Sequence, residues 1–316
     1  MTKLEEARDR VVGQASTVLV GPTENLELCL LAIVAGGHVL LEGLPGTAKT
    51  LAVKALARLI DARYARVQFT PDLLPADIVG TVIYNQAKAA FEVRPGPVFT
   101  DLLLADEINR SPAKTQAALL EAMEERQVTL DGRTYPLGDR FTVLATQNPI
   151  ELEGTFPLPE AELDRFIVKL EINYLPQEGE RQLARMVDEG FDPHDLKRSL
   201  PEPVLTKESL AELRQEVAQV KLSEEVLTYL VAVVQATRQA PELAVGASSR
   251  ATVALVHLSK ALAAARGRAF VEPDDVKDLC MPVLRHRVQR RPDAEMQGLG
   301  ERDAIDRVLS RVPVPR

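Results

Sequence analysis

One stretch limits what this chain can fold into more than any other: Gly43-Leu44-Pro45-Gly46-Thr47-Ala48-Lys49-Thr50. It lies between the apolar run Val39-Leu40-Leu41 and a helical pattern that continues through Leu51, Val53, Ala55, Leu56 and Leu59. That order predicts a strand, a tight loop and a helix N-terminus. Small residues let backbone N–H groups close around anionic oxygens, and the unpaired N–H groups of the helix point at the same charge. Gly43, Pro45, Gly46, Thr47, Ala48 and Leu51 are therefore expected to form a phosphate cradle, with Lys49 reaching the β- and γ-phosphates and Thr50 holding Mg²⁺. Ala48 stands where the strict G-x-x-x-x-G-K-[ST] pattern has its second glycine, so the loop is expected to keep helical dihedrals at that residue.

The second chemical signal is Leu102-Leu103-Leu104-Ala105-Asp106-Glu107. An apolar run this short, ending in two carboxylates, fits a buried parallel strand that delivers acids to the sheet's C-terminal edge, where ligands bind. By itself such a pair often only caps a loop. With a phosphate loop upstream, Asp106 is expected in the Mg²⁺ shell and Glu107 on the water that attacks the γ-phosphate. Phe141 to Thr146 predicts another strand, and Asn148 beyond it either positions water and phosphate or caps the turn before Pro149.

The rest of the first half reads as an α/β unit. Val11-Val12-Gly13-Gln14 predicts a short apolar turn, with Val12 lying against an adenine ring or simply packing helices. A helix follows from Glu24 to Ala35. Arg66 to Phe69 predicts a strand, and 71–80 a helix bracketed by prolines and glycine. Thr81-Val82-Ile83-Tyr84 and Phe91-Glu92-Val93 predict a β-hairpin inserted into the unit, and Asp131-Gly132 turns a second hairpin. Ser111 reads as a helix N-cap with Pro112 at the first helical position. Arg165, ahead of a fifth strand from Ile167 to Ile172, either pairs with neighbouring acids or projects toward another subunit's γ-phosphate.

From Leu175 the pattern turns helical: 179–188, 206–220, 223–239, 248–265 and 273–284, with no strand of comparable clarity. Two domains are expected, 1–175 and 176–316. Arg250 sits in a helix's first turn, against the dipole, which points to an anionic partner or to solvent. The run Arg285-His286-Arg287-Val288-Gln289-Arg290-Arg291 reads as a solvated helix end or as a face for a neighbouring subunit's acidic surface.

A net charge of −8 provides no global field toward DNA, RNA or an anionic membrane. Cys29 and Cys280 stand in apolar helical surroundings, as reduced thiols in a cytosol would. The four histidines make no metal-ligand spacing. Met1 to Arg10 alternates charge, unlike a secretory signal, and the apolar run Leu28 to Ala35 is too short for a bilayer. A soluble, intracellular protein is expected.

Together these stretches resemble the AAA+ ATPases and, within them, the MoxR family. The resemblance is carried by Gly36-Gly37-His38-Val39-Leu40-Leu41-Glu42-Gly43 leading into the loop with its Ala48, and by Ala105 to Gln116 continuing through Leu119 to Val128. Ala145-Thr146-Gln147-Asn148-Pro149, Glu162-Leu163-Asp164-Arg165-Phe166 and Ser248-Ser249-Arg250 complete it. It implies a five-stranded parallel α/β/α sheet with an all-helical lid, using ATP and Mg²⁺. In its terms Lys49, Thr50, Asp106 and Glu107 act in cis with Asn148 as sensor 1, Arg165 is the arginine finger acting in trans, and Arg250 is the sensor-2 residue that reports nucleotide to the lid. Arg110 is a further inter-subunit candidate. Members look like cytoplasmic, ring-forming homo-oligomers, usually hexameric. They act as chaperone ATPases that mature or activate partner complexes, often beside a von Willebrand factor A domain protein. A nucleic-acid motor on the same core is the alternative, and it predicts a basic groove, zinc module or helix-turn-helix that this acidic chain lacks. A small-molecule kinase would have no need of Asn148, Arg165 and Arg250.

Overall fold

The computed structural model describes residues 1–149 and 154–315. Helix α1 (Lys3–Ala15) opens on Thr2, whose side chain accepts from the Glu5 N–H, and α2 (Glu24–Val34) ends where Gly36 takes a positive φ of 74°. Then come β1 (Val39–Gly43), α3 (Lys49–Leu59), β2 (Tyr64–Gln68), α4 (Pro75–Val79), the hairpin β3 (Gly80–Asn85) and β4 (Ala90–Pro95), and β5 (Leu102–Asp106). Next are α5 (Ala113–Glu125), the hairpin β6 (Gln127–Leu130) and β7 (Arg133–Pro136), β8 (Thr142–Gln147), α6 (Glu160–Leu163) and β9 (Val168–Ile172).

Strands β2, β5, β8, β1 and β9 lie side by side in that order, all parallel. Side chains alternate across a strand, and here the alternation sends the sheet's residues into two cores, one on each face. Val39, Leu41, Leu102, Leu104 and Leu144 enter one core with α1, α2 and α3. Leu40, Leu103, Ala105, Val143 and Ala145 enter the other with α5 and the β6–β7 hairpin. Both faces are covered, which is why these strands read as unbroken apolar runs.

The second half holds α7 (Gln177–Asp188), α8 (Leu196–Ser199), α9 (Lys207–Gln219), α10 (Glu224–Gln239), β10 (Leu243–Val245), α11 (Ser249–Ala265), α12 (Pro273–Leu284), β11 (Gln289–Arg290), α13 (Pro292–Met296) and α14 (Glu301–Arg311). Since β9 ends at Ile172 and α7 opens at Gln177, we propose the domain division at 175/176. The core does not respect that division. Leu210, Leu230, Leu255 and Val283 continue the cluster of Leu4, Leu30 and Leu41 without a break.

The structure corrects several expectations. Val11 to Gln14 form the last turns of α1, not a loop, because Val11 faces the core at helical spacing from Leu4, Ala7 and Ala15. Only 75–79 of the expected 71–80 helix is helical. Ser111 ends a short 3-10 turn, and Pro112 is itself the N-cap of α5. The short antiparallel pair β10–β11 had no clear sequence pattern. The arginine run at 285–291 is not a solvated end: the side chains of Arg285 and Arg287 are only 9% and 2% exposed.

Candidate functional site

The loop from β1 to α3 is shaped by what its neighbours allow. A Cβ on Gly43 would lie 2.3 Å from the Ile172 carbonyl oxygen of β9, so only glycine fits there. Gly46 turns with φ 79°, and nothing stands within 4 Å of where its Cβ would be, which leaves an open backbone cradle. Ala48 differs from expectation. It takes φ 59°, ψ 17°, the left-handed region, and so does glycine's work with a methyl group attached. Lys49 Nζ donates to the carbonyls of Gly43 and Leu44, each at 2.6 Å, and to Thr47 Oγ1 at 3.2 Å. Burial lowers the Lys49 pKa, while Asp106 and Glu107 act the other way. Thr47 Oγ1 donates back to the Leu44 carbonyl at 2.8 Å. Leu51 packs against the main core from α3.

Facing the loop, β5 ends at Asp106. Its Oδ2 accepts from Thr50 Oγ1 at 3.3 Å and from Arg66 Nε and Nη2 at 3.1 and 2.7 Å. Its Oδ1 accepts from Thr146 Oγ1 at 2.6 Å. Thr50 and Asp106 are an all-oxygen pair, the donor type that a hard cation takes, so the residues fit Mg²⁺. Glu107 follows with φ 56°, ψ 51°, a second left-handed residue, and its N–H donates to Thr146 Oγ1 at 2.8 Å. Glu107 Oε2 accepts from Gln68 Nε2 at 2.7 Å and Arg110 Nη1 at 2.9 Å. Strand β8 runs between β5 and β1 and ends beside both motifs. Asn148, one residue beyond it, is buried, with its carbonyl accepting from Asn109 Nδ2 at 3.3 Å.

Beside the loop a cleft of about 480 Å³ opens between the segment ahead of α2 and the first lid helix. Leu19, Val20, Pro22, Ile172 and Leu183 line it, a largely apolar slot of the kind that takes a planar ring. Val12 does not line it, being held in α1 against the main core.

Two predicted residues sit on the other edge of the sheet. Ile167 N–H donates to the His38 carbonyl at 2.8 Å just ahead of β9 and β1, so Arg165 lies at the strands' N-terminal edge. Four residues of β1 separate that edge from the phosphate loop, about 13 Å at a strand's rise, more than an arginine side chain spans. Arg165 Nη1 donates to Glu162 Oε2 at 2.8 Å, and its Nε is buried with no hydrogen-bond partner among the described residues. Arg250 is on the same edge. Ser248 Oγ donates to Asp164 Oδ2 at 2.7 Å, and Arg250 Nη2 donates to Glu124 Oε1 at 2.7 Å. The local partners of Arg250 are therefore those of the edge that carries Arg165, not those of the phosphate loop. Asp164 and Glu124 supply the anions that offset its place against the helix dipole.

Two family models match the chain: "ATPase family associated with various cellular activities (AAA)" over residues 38–168, and "AAA lid domain" over 235–308. Chaperone MoxR1 of Mycobacterium tuberculosis is 42% identical over 98% of this chain and 82% of its own length. This chain belongs to the MoxR family of AAA+ ATPases. The uncharacterized protein YeaC of Bacillus subtilis is 44% identical to this MoxR-family chain over 97% of it and 94% of YeaC. A crystal structure from Cytophaga hutchinsonii, described as a candidate ATPase, superposes with a TM-score of 0.89 at 42% identity, covering 99% of this chain and 97% of that one. ATP hydrolysis is the reaction of this MoxR-family enzyme, and ATP with Mg²⁺ is what the AAA+ fold uses.

Three residues that the sequence did not single out stand against the acid pair of this MoxR-family chain. Thr146 ties the Asp106 carboxylate to the Glu107 backbone N–H, and its signal was a hydroxyl at the end of an apolar strand that neighbours the acid-bearing one. Arg66 and Gln68 alternate on β2 toward those acids, but nothing in the sequence alone pairs β2 with β5.

Proposed function

We propose that the chain hydrolyses ATP at contacts between its own copies, in a homo-oligomer that the family resemblance makes a ring, and uses the cycle to remodel a partner protein complex. The observation that carries this reading is the separation of the machinery: phosphate loop and acid pair on one edge of the sheet, Arg165 and Arg250 on the other. Neither arginine can reach the phosphates of its own chain, while both stand where a neighbour's loop could face them.

In this reading Lys49 neutralises phosphate oxygens, and Thr50 and Asp106 hold Mg²⁺, which when bound spreads the charge that develops on the transferred group. Thr146 fixes Asp106 Oδ1. Glu107 orients the attacking water and accepts its proton, with Asn148 beside it. The neighbour's Arg165 and Arg250 meet the charge that grows on the γ-phosphate. Protein remodelling accords with the relative named as a chaperone, and the unpaired buried thiols of Cys29 and Cys280 suit a reducing cytoplasm.

Complementation tests the reading. Glu107→Gln should bind ATP and lose turnover by about 10²- to 10⁴-fold, the worth of a placed general base. Arg165→Ala and Arg250→Ala should each assemble and be nearly inactive. Mixing either arginine variant with Glu107→Gln should restore turnover, because roughly a quarter of head-to-tail contacts then pair an intact loop with an intact arginine edge. Recovery with Arg165→Ala but not with Arg250→Ala would return Arg250 to its own chain. No recovery with either would defeat the shared site.

A further inference from the structure

The carboxylate expected to take the metal is already claimed by a residue that the nucleotide motifs leave out. Asp106 Oδ2 accepts a forked pair from Arg66, at 3.1 Å from Nε and 2.7 Å from Nη2, and the same oxygen faces Thr50 Oγ1 at 3.3 Å. Oδ1 is committed elsewhere, to Thr146 Oγ1 at 2.6 Å. Oδ2 is the oxygen that faces Thr50, so a divalent cation shared by Thr50 and Asp106 meets the same oxygen that Arg66 occupies. The guanidinium is built into place rather than draped over the site. Register pairs Arg66 with Leu104 and Gln68 with Asp106 between β2 and β5, and Arg66 Nη2 also donates to Gln68 Oε1 at 2.7 Å. That bond turns the Gln68 amide toward Glu107 Oε2, 2.7 Å away. Asp106 is almost wholly buried, whereas the Arg66 side chain is 44% exposed on an edge strand and has solvent to swing into.

We propose that Arg66 is a positioning residue that competes with Mg²⁺ for Asp106 Oδ2 and sets how much free Mg²⁺ the site demands before nucleotide is held productively. A cation and a guanidinium cannot share one carboxylate oxygen at contact distance without repulsion, so metal entry requires Arg66 to withdraw. When Arg66 withdraws, Gln68 loses the partner that orients its amide, and the restraint on Glu107 changes with it. The metal's arrival at one carboxylate is in this way felt at the other. The proposal rests on the Mg²⁺–nucleotide reading of the loop.

The test measures binding of a fluorescent ADP analogue to full-length protein at fixed nucleotide while MgCl₂ is titrated from an EDTA baseline. It compares wild type, Arg66→Ala and Arg66→Gln. The glutamine variant keeps a polar side chain on β2, and circular dichroism in EDTA verifies that each variant is folded. Both variants should reach half-saturation at about three- to tenfold less Mg²⁺ than wild type, the range that a half-exposed charge-assisted contact supports. An unchanged or raised Mg²⁺ requirement in both folded variants overturns the competition and makes Arg66 a support for Asp106 instead. Failure of the wild type to bind the nucleotide at any Mg²⁺ concentration overturns the nucleotide site itself, and the competition with it.

Discussion

Ala48 and Glu107, neither of them glycine, adopt left-handed backbone at the ends of the two motifs that carry the chemistry. For an L-residue this conformation costs on the order of 1 kcal/mol or more, because Cβ crowds the following carbonyl. The cost at Ala48 places the N–H groups of the loop and the first turn of α3 toward one point. Ala48→Gly removes the clash, and we expect a net gain of about 0.5 kcal/mol after the extra chain entropy of glycine is charged against it. A urea midpoint that moves down instead of up would mean that the methyl group is stabilising. The sequence alone made this residue look like a tolerated helical alanine, since it displays which atoms are present and not the dihedrals that the surrounding backbone imposes. His38 was equally illegible. Val143 N–H donates to its Nδ1 at 2.9 Å, so its proton stays on Nε2, and burial pushes its pKa down to about 4.

Elements were legible wherever a period repeats. The lid helices α7, α9, α10, α11 and α12 lie within two residues of their predicted bounds. Helices α9 to α12 each bury a stripe at helical spacing, whereas α7 buries no side chain and is marked by its amphipathic pattern alone. The link between lid and sheet was not legible, because it depends on arginines whose partners are distant in the chain. Arg287, just past α12, donates to Asp164 Oδ1 at 2.7 Å and to the carbonyls of Phe166 and Ile167 at 2.7 and 3.1 Å. Burial lowers its pKa and the Asp164 carboxylate opposes that shift. His286 Nε2 meets the Phe166 carbonyl at 2.8 Å, so two consecutive lid residues fasten the chain entering β9. Arg287→Met should destabilise the protein by about 2–4 kcal/mol, because a partly buried carboxylate and several carbonyls lose their partner together. Since Asp164 also holds Ser248, turnover should fall along with stability. Loss of less than about 1 kcal/mol on denaturant titration would mean that the tie is replaceable by water.

At the scale of the whole molecule, the main core runs from α1 and α2 through one sheet face into α9, α10, α11 and α12 without a gap. Thr2 Oγ1 donates to the Ala264 carbonyl at 2.5 Å and Arg58 Nε donates to the Leu200 carbonyl at 2.9 Å, so the connections cross the proposed domain division in both directions. We expect calorimetry to give one unfolding transition with a calorimetric to van't Hoff enthalpy ratio near one. Two resolved transitions would show that the helical lid melts independently. The placement of Arg165 and Arg250 opposite the phosphate loop also bears on assembly geometry. An isologous two-fold pair joins one patch to its own copy, so it brings loop against arginine edge only where a single patch carries both, and here the two stand at opposite edges of the sheet. In the proposed shared-site reading a heterologous, directional contact completes each site, and an open chain of subunits leaves one unused loop and one unused arginine edge at its two ends. In that reading an open head-to-tail chain carries one site without its arginines, and closing the circle is what would make every site equivalent.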